Sequence, residues 1–260
     1  MSNMAAGLVL IPTYNERENV EFIIQAVLEL PKDFHVLIID DGSPDGTGEL
    51  VRALLPTHAG RLFLEERAGK QGLGTAYIFG FRWALARGYP FVFEMDADFS
   101  HNPKDLLRLY EACAGQGYDL AIGSRYSEGV NVVNWPMSRV LMSYFASKYV
   151  RLITGMPIDD ATAGFKCYSA KVLQAIDLRK VRFVGYAFQI EMKWLAYCLG
   201  FRIKEVPIIF TDRTRGQSKM SKGIVTEALF GVIQMKVNSW LRPPRRLDAT
   251  PASLSAVSAS

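Results

Sequence analysis

An alternation of two hydrophobic periods constrains this chain most. Short apolar runs bounded by turn residues recur at Leu8 to Ile11, Val36 to Ile39, Arg61 to Leu64, Phe91 to Met95 and Leu120 to Ile122, and each reads as a buried strand. Between them lie segments of helical period, Asn19 to Leu30, Thr47 to Leu55, Thr75 to Ala86 and Pro103 to Ala114. Asn102 is placed to cap the last of these, with Pro103 at its first helical position. Such alternation predicts parallel strands with covering helices. Ligands of these sheets gather beyond the carboxyl ends of the strands, so the loops after Ile11, Ile39, Leu64, Met95 and Ile122 are expected on one edge.

The second half is less regular. It predicts a helix at Pro136 to Thr154, a strand at Phe165 to Tyr168, helices at Ser169 to Ile176 and Tyr186 to Leu199, and a strand at Arg202 to Phe210. A last helix spans Lys222 to Trp240 and is stopped by Pro243 and Pro244. The Ala/Ser/Thr-rich stretch from Asp248 to Ser260 has too little apolar mass to pack, so disorder is expected there.

Net charge is +4, too small to argue for a nucleic-acid partner. Its distribution is uneven. Glu16, Glu18, Glu21, Glu29, Asp33, Asp40, Asp41, Asp45 and Glu49 face only Arg17 and Lys32 in the first fifty positions, whereas Arg213 to Arg246 is basic except for Glu227. The C-terminal region either meets phosphates or a lipid surface, or presents a solvated basic face. Cys113, Cys167 and Cys198 are odd in number and widely spaced, which suits reduced thiols in a cytoplasmic setting. Met1 to Gly7 has no basic n-region, and no apolar stretch reaches the roughly 20 residues of a membrane span, so membrane contact is expected to be peripheral.

The chemistry concentrates at the strand ends. Pro12 to Asn19 is a turn into a helix, with Tyr14 and Glu16 in it; Asp40-Asp41-Gly42-Ser43 offers either ribose- or base-binding carboxylates or a turn with capping acids. Gly69 to Tyr77 fails both phosphate-loop patterns, so its glycines serve either backbone approach to a ligand or a tight turn. Sharpest is Glu94-Met95-Asp96-Ala97-Asp98, where carboxylates two apart at a strand end suit Mg²⁺ or Mn²⁺ bridging a diphosphate. Ser100 and His101 lie close by, and His101 reads more readily as a turn or surface residue than as a ligand. Arg125, Arg139, Arg213 and Lys219 stand where a phosphate enzyme would need cations, although each alone also reads as a solvated surface charge. Val140, Leu141, Tyr144, Phe145 and Leu152 form an apolar stripe with Lys148 and Arg151 interleaved, and Ile224, Leu229, Phe230, Ile233, Val237 and Trp240 repeat it; burial or a bilayer interface would satisfy either stripe.

Taken together, Pro12 to Asn19, Asp40 to Thr47, Gly72 to Tyr77, Asp96 to Pro103, Gly123 to Tyr126, Asn134 to Arg139, Asp160 to Phe165 and Arg213 to Lys219 resemble the family 2 inverting glycosyltransferases of GT-A fold, in particular the polyprenyl-phosphate mannosyltransferase group. The resemblance implies a catalytic domain over residues 1–220, an amphipathic helix over 221–246 and a disordered tail over 247–260. It implies GDP-mannose as donor, held by Pro12, Tyr14, Glu16, Ile39 and Asp41, with Asp96, Ala97 and Asp98 placing the metal and donor phosphates and Arg213 and Lys219 closing over the diphosphate. Arg125, Arg139 and Ser143 would bind the phosphate of a polyprenyl monophosphate at the cytoplasmic membrane face, and Asp98, Arg125 and Lys219 would carry the catalytic charges. Some relatives place a glutamine in the metal site where this chain has Ser100, and some rely on a separate membrane subunit.

An ionised phosphate acceptor, with a second pKa of about 6, needs no general base, which agrees with the lack of a compelling catalytic His, Ser or Cys. Two other donors or acceptors compete: UDP-glucose with the same lipid, and a saccharide hydroxyl. Polymerising relatives of the second kind carry Gln-x-x-Arg-Trp, whereas Gln189 to Trp194 has the wrong residue and register. A silent nucleotide-regulated adaptor would have no use for the full charge set.

Overall fold

The computed structural model describes residues 5–213, 223–241 and 244–245. Strand β1 (Gly7–Thr13) pairs in parallel with β2 (Phe34–Asp40), β2 with β3 (Leu62–Glu66), and β1 on its other side with β4 (Phe91–Glu94). Four of the expected strands are thus present and parallel. Further along, β5 (Leu120–Ser124) does not join β4 directly. A short strand β7 (Lys166–Ser169) lies between them, antiparallel to both, and β8 (Ile203–Pro207) closes the sheet parallel to β5. The order is β3-β2-β1-β4-β7-β5-β8, so the α/β fold has the mostly parallel central sheet expected of it, with β7 as the antiparallel strand.

Two antiparallel steps restore direction, and the carboxyl ends of β1, β2, β3, β4, β5 and β8 all meet one edge. The strand predicted over Arg202 to Phe210 is broken. Pro207 cannot donate to a ladder, and the chain continues into β9 (Phe210–Thr211), which pairs with β6 (Val132–Val133) in a separate parallel ribbon. That ribbon stands above the shared edge, tied to it where Thr211 N–H donates to the Ser100 carbonyl at 3.1 Å.

Both sheet faces are buried, as parallel strands require. Leu8, Leu10, Leu37 and Ile39 point into one core with α3 (Leu73–Ala86), α6 (Ala170–Ala175), α7 (Tyr186–Cys198) and α8 (Gly223–Leu241); Val9, Ile11, Val36 and Ile38 point into the other with α1 (Val20–Leu28), α2 (Thr47–Leu54) and α4 (Asp105–Tyr110). Helix α1 shows why the segments fold so: Val20, Ile23, Ile24, Val27 and Leu28 repeat at helical spacing and are all buried. Asn102 does accept the Lys104 N–H at 3.0 Å, but α4 is shorter than expected and runs into a π-helical turn over Glu111–Gly115. Helix α5 (Met137–Thr154) packs beside α8, which also packs on α7.

Candidate active site at the carboxyl edge

The loops after β1 and β2 form one unit. Asp41 N–H donates to the Thr13 carbonyl at 3.0 Å, Asn15 N–H to Ser43 Oγ at 2.9 Å and Glu16 N–H to Thr47 Oγ1 at 3.0 Å, which fixes Tyr14 and Glu16 against the 41–47 turn. The adjacent carboxylates have different duties. Asp40 accepts from Thr13 Oγ1 at 2.8 Å and from Ser43 Oγ and N at 2.6 and 2.8 Å, so it builds the turn. Asp41 accepts instead from Arg67 Nε at 2.6 Å, and Arg67 reaches on to Thr75 Oγ1 at 2.9 Å. Pro12 is half-buried beside them, while the Ile39 side chain is wholly within the core, leaving its main chain for any nucleotide contact.

The glycines after β3 serve an internal approach. Gly72 has φ +98°, which a residue with a Cβ rarely adopts, and a Cβ on Gly74 would lie 2.8 Å from the Phe183 carbonyl and 2.9 Å from the Phe188 ring. Helix α3 therefore begins in contact with the 183–188 segment, its Gly74 N–H donating to the Val184 carbonyl at 2.9 Å.

Beyond β4, the loop holds its charges by a backbone reversal. Phe99 has φ +59°, a strained value for an aromatic residue. Asp98 Oδ1 accepts the Ser100 N–H at 3.0 Å, Asp98 Oδ2 pairs with Arg213 Nη2 at 3.0 Å, and His101 Nδ1 comes within 4.0 Å of Asp96 Oδ2. Burial in the cleft and the Asp98 charge push the Asp96 carboxyl up to about 7, although 42 % of its side chain is still reached by solvent. Burial pushes His101 down to about 4, so its imidazole is neutral at pH 7, and Nδ1 is buried with no hydrogen-bond partner among the described residues.

Mg²⁺ or Mn²⁺ fits this donor set: two hard carboxylates whose charges oppose each other, with a neutral ring nitrogen beside them. Among the described residues no three His, Cys, Asp or Glu side chains form a finished cage, so donor phosphates and water would complete the coordination. Ala97 is buried between the carboxylates, and Ser100 contributes its backbone on both sides.

The arginines meet around one indole. The Arg125 guanidinium lies 5.4 Å from the Trp135 ring centroid and that of Arg139 4.0 Å from it. Arg125 is gripped from behind: Nε and Nη2 donate to the Asp160 carboxylate at 2.7 and 2.6 Å, and Nη2 also to Thr162 Oγ1 at 2.8 Å. Burial opposes the Asp160 charge, yet the guanidinium beside it holds the carboxyl below the usual carboxylate range. Arg139 Nη1 pairs with Asp212 Oδ1 at 3.0 Å, and Ser143, one turn further along α5, lies beside the Tyr126 phenol. The site residues proposed from sequence thus converge on one edge, except that Lys219 lies outside the described residues.

Residues 8–177 match the sequence family described as Glycosyl transferase family 2. The chain belongs to that family. This glycosyltransferase is 47 % identical over 234 residues, 90 % of its length and 88 % of the relative's, to the polyprenol monophosphomannose synthase of Mycolicibacterium smegmatis. It is 45 % identical over 225 residues, 86 % of this chain and 91 % of the other, to the undecaprenyl-phosphate mannosyltransferase of Micrococcus luteus. Among solved structures it resembles glucosyl-3-phosphoglycerate synthase of Mycobacterium tuberculosis, in complex with Mn²⁺, UDP and glucosyl-3-phosphoglycerate, with TM-score 0.64 at 16 % identity over 88 % of this chain and 79 % of that one. A mannosyltransferase of Pyrobaculum calidifontis in complex with GDP-Man and Mn²⁺ aligns with TM-score 0.54 at 16 % identity over 98 % and 79 %. The fold is GT-A.

Sequence reasoning missed Arg67 in this glycosyltransferase, because Glu65-Glu66-Arg67 reads as a polar strand end. Only the fold brings it to Asp41, where its Nη2 is buried with no hydrogen-bond partner among the described residues. The described side chains of the apolar stripes are partly exposed, those of Ile224 and Leu229 lying outside the described residues. Phe145 and Leu152 of α5 are 62 % and 82 % exposed, and Phe230 and Trp240 of α8 are 71 % and 85 % exposed, while Ser147 and Thr154 face inward with Val150, Val232 and Met235. No described helix is long and apolar enough to cross a membrane.

Proposed function

We propose that this glycosyltransferase moves mannose from GDP-mannose to a polyprenyl monophosphate, with inversion at the anomeric carbon. The observation that carries the reading is the pair of arginines on Trp135 facing the same edge as Asp96 and Asp98. It suits an anionic acceptor meeting a diphosphate donor, and the names of the two mannosyl-transferring relatives support the same lipid class. A phosphate oxygen of the acceptor attacks the anomeric carbon, the bond from that carbon to the diphosphate breaks, and its electron pair leaves with GDP. No proton has to be removed from an acceptor already ionised at neutral pH.

Tyr14, Glu16 and Asp41 lie where the nucleoside would sit, with Arg67 behind Asp41. A divalent ion held by Asp96 and Asp98, with His101 at hand, would neutralise the departing diphosphate. Arg213 is positioned at the same carboxylates, and Arg125, Arg139 and Ser143 orient the lipid phosphate. The decisive experiment offers the whole protein radiolabelled GDP-mannose or UDP-glucose with polyprenyl phosphate in detergent, with Mg²⁺, Mn²⁺ or EDTA. Mannolipid formed only from GDP-mannose and abolished by EDTA is the expected result. Product from UDP-glucose alone would reassign the donor, and no lipid product from either would overturn the reaction.

We propose further that this chemistry takes place at a membrane surface, peripheral on the cytoplasmic side, a reading that the outward apolar side chains of α5 and α8 support. The protein is expected to co-sediment with vesicles containing anionic lipid. Phe145→Asp combined with Trp240→Asp should leave most of it in the supernatant; equal sedimentation of the variant would remove these helices as the docking face.

A further inference from the structure

Helix α7 carries three buried polar side chains in an otherwise apolar stretch, and each holds a different segment behind the site. Lys193, wholly buried, donates to the Ala161 and Ala163 carbonyls at 2.8 and 2.7 Å. Gln189 accepts from Lys166, whose ammonium pairs with Glu94 at 2.9 Å beneath the carboxylate loop. Glu191 accepts the Arg182 and Phe183 N–H groups, both at 3.0 Å.

Two of these contacts lead by short chains of bonds to opposite halves of the site. From Lys193, the 161–163 carbonyls continue into Asp160 and Thr162, the side chains that grip Arg125. From Glu191, the 182–183 amides continue to the Val184 carbonyl, which accepts from Gly74; Thr75 then holds Arg67, and Arg67 holds Asp41. A buried lysine is an expensive way to fill space that a methionine would fill as well. Its ammonium makes sense if the position of the two carbonyls matters.

We propose that Lys193 is a positioning residue for the acceptor phosphate, fixing the 160–163 main chain and through it the aim of Arg125, while Glu191 does the same for the donor side through the 182–184 segment and Arg67. This rests on the reading of Arg125 as an acceptor contact and Asp41 as a nucleotide contact. Burial and the nearby Lys166 ammonium depress the Lys193 pKa, and Asp160 opposes them; the role rests on the two carbonyl contacts, which an amine with or without its charge can donate to.

The test uses the whole protein and separate readouts: GDP affinity by calorimetry, acceptor KM and kcat in the transfer assay, and the melting temperature. Lys193→Met should raise acceptor KM about tenfold or more and leave GDP affinity within about twofold, and Glu191→Gln should do the reverse. A purely structural lysine would change both affinities together or neither, and either pattern overturns the proposal. If Lys193→Met does not fold, Thr162→Val, which deletes the hydrogen bonds of Thr162 to Arg125 and to Asp160, takes its place; an unchanged acceptor KM then overturns it. Arg139→Ala is the control for the reading beneath. Should it leave acceptor KM unmoved, the acceptor assignment itself fails and the role of Lys193 falls with it; should it raise KM while Lys193→Met does not, only the positioning role fails.

Discussion

Asp98→Asn is expected to lower transfer by on the order of a thousandfold or more while the protein unfolds at almost the same temperature. The asparagine keeps the shape, and its side-chain oxygen can still accept the Ser100 N–H now bonded to Asp98 Oδ1. What it loses is the charge that faces Arg213 at 3.0 Å and that, after burial, contributes most to raising the Asp96 carboxyl. Stability should hardly change, because losing the Arg213 pair is offset by relief of repulsion between the two carboxylates. Turnover should collapse, since in the proposed reaction the same carboxylate holds a divalent ion and orders Arg213 over the diphosphate. Steady-state transfer and thermal unfolding on one preparation decide it. An active Asp98→Asn enzyme would sink the assignment of this pair to the donor phosphates. Loss of activity together with a large drop in melting temperature would mean that Asp98 is structural.

How far the sequence could be read depended on whether a signal was local. The first four parallel strands and most helices were legible because a buried run or a helical stripe lies within ten or so residues, and the observed ends fall close to those expected. The carboxylates at Asp96 and Asp98 were legible because the strand that presents them precedes them directly. Strand β7 was placed well along the chain, yet its position between β4 and β5 was not legible, for strand order is set by distant packing; its Lys166 is buried only because Glu94 and Gln189 arrive from elsewhere. Arg67 and Lys193 were missed for the same reason. A charged residue looks solvent-facing until its partners, far off in sequence, are in place. The apolar stripes posed a different difficulty: their period fits burial and membrane contact equally, and the structure adds only that several of these side chains on α5 and α8 are exposed.

The internal support of the site predicts the second large effect, on stability as well as rate. Asp160 is wholly buried and the Arg125 side chain is 9 % exposed, and the two are joined by a bidentate contact with an additional bond from Arg125 N–H to Asp160 Oδ2 at 2.9 Å. Asp160→Asn leaves a guanidinium in the interior without its counter-charge, for which a destabilisation of about 3–5 kcal/mol is expected. For a chain of this size that corresponds to a fall in melting temperature of roughly 10 °C. Removing both charges, as in Arg125→Met with Asp160→Asn, should restore part of the stability, because the cost arises mainly from the unpaired ion rather than from the loss of a favourable bond. Activity should not return with it. The double variant would fold better than Asp160→Asn alone and still lack the cation proposed to bind the acceptor phosphate. Thermal unfolding and acceptor KM measured on the two single variants and the double variant separate these outcomes. If the double variant were as unstable as Asp160→Asn, the pair would not be the source of the penalty; if it transferred mannose normally, Arg125 would have no part in binding the lipid phosphate.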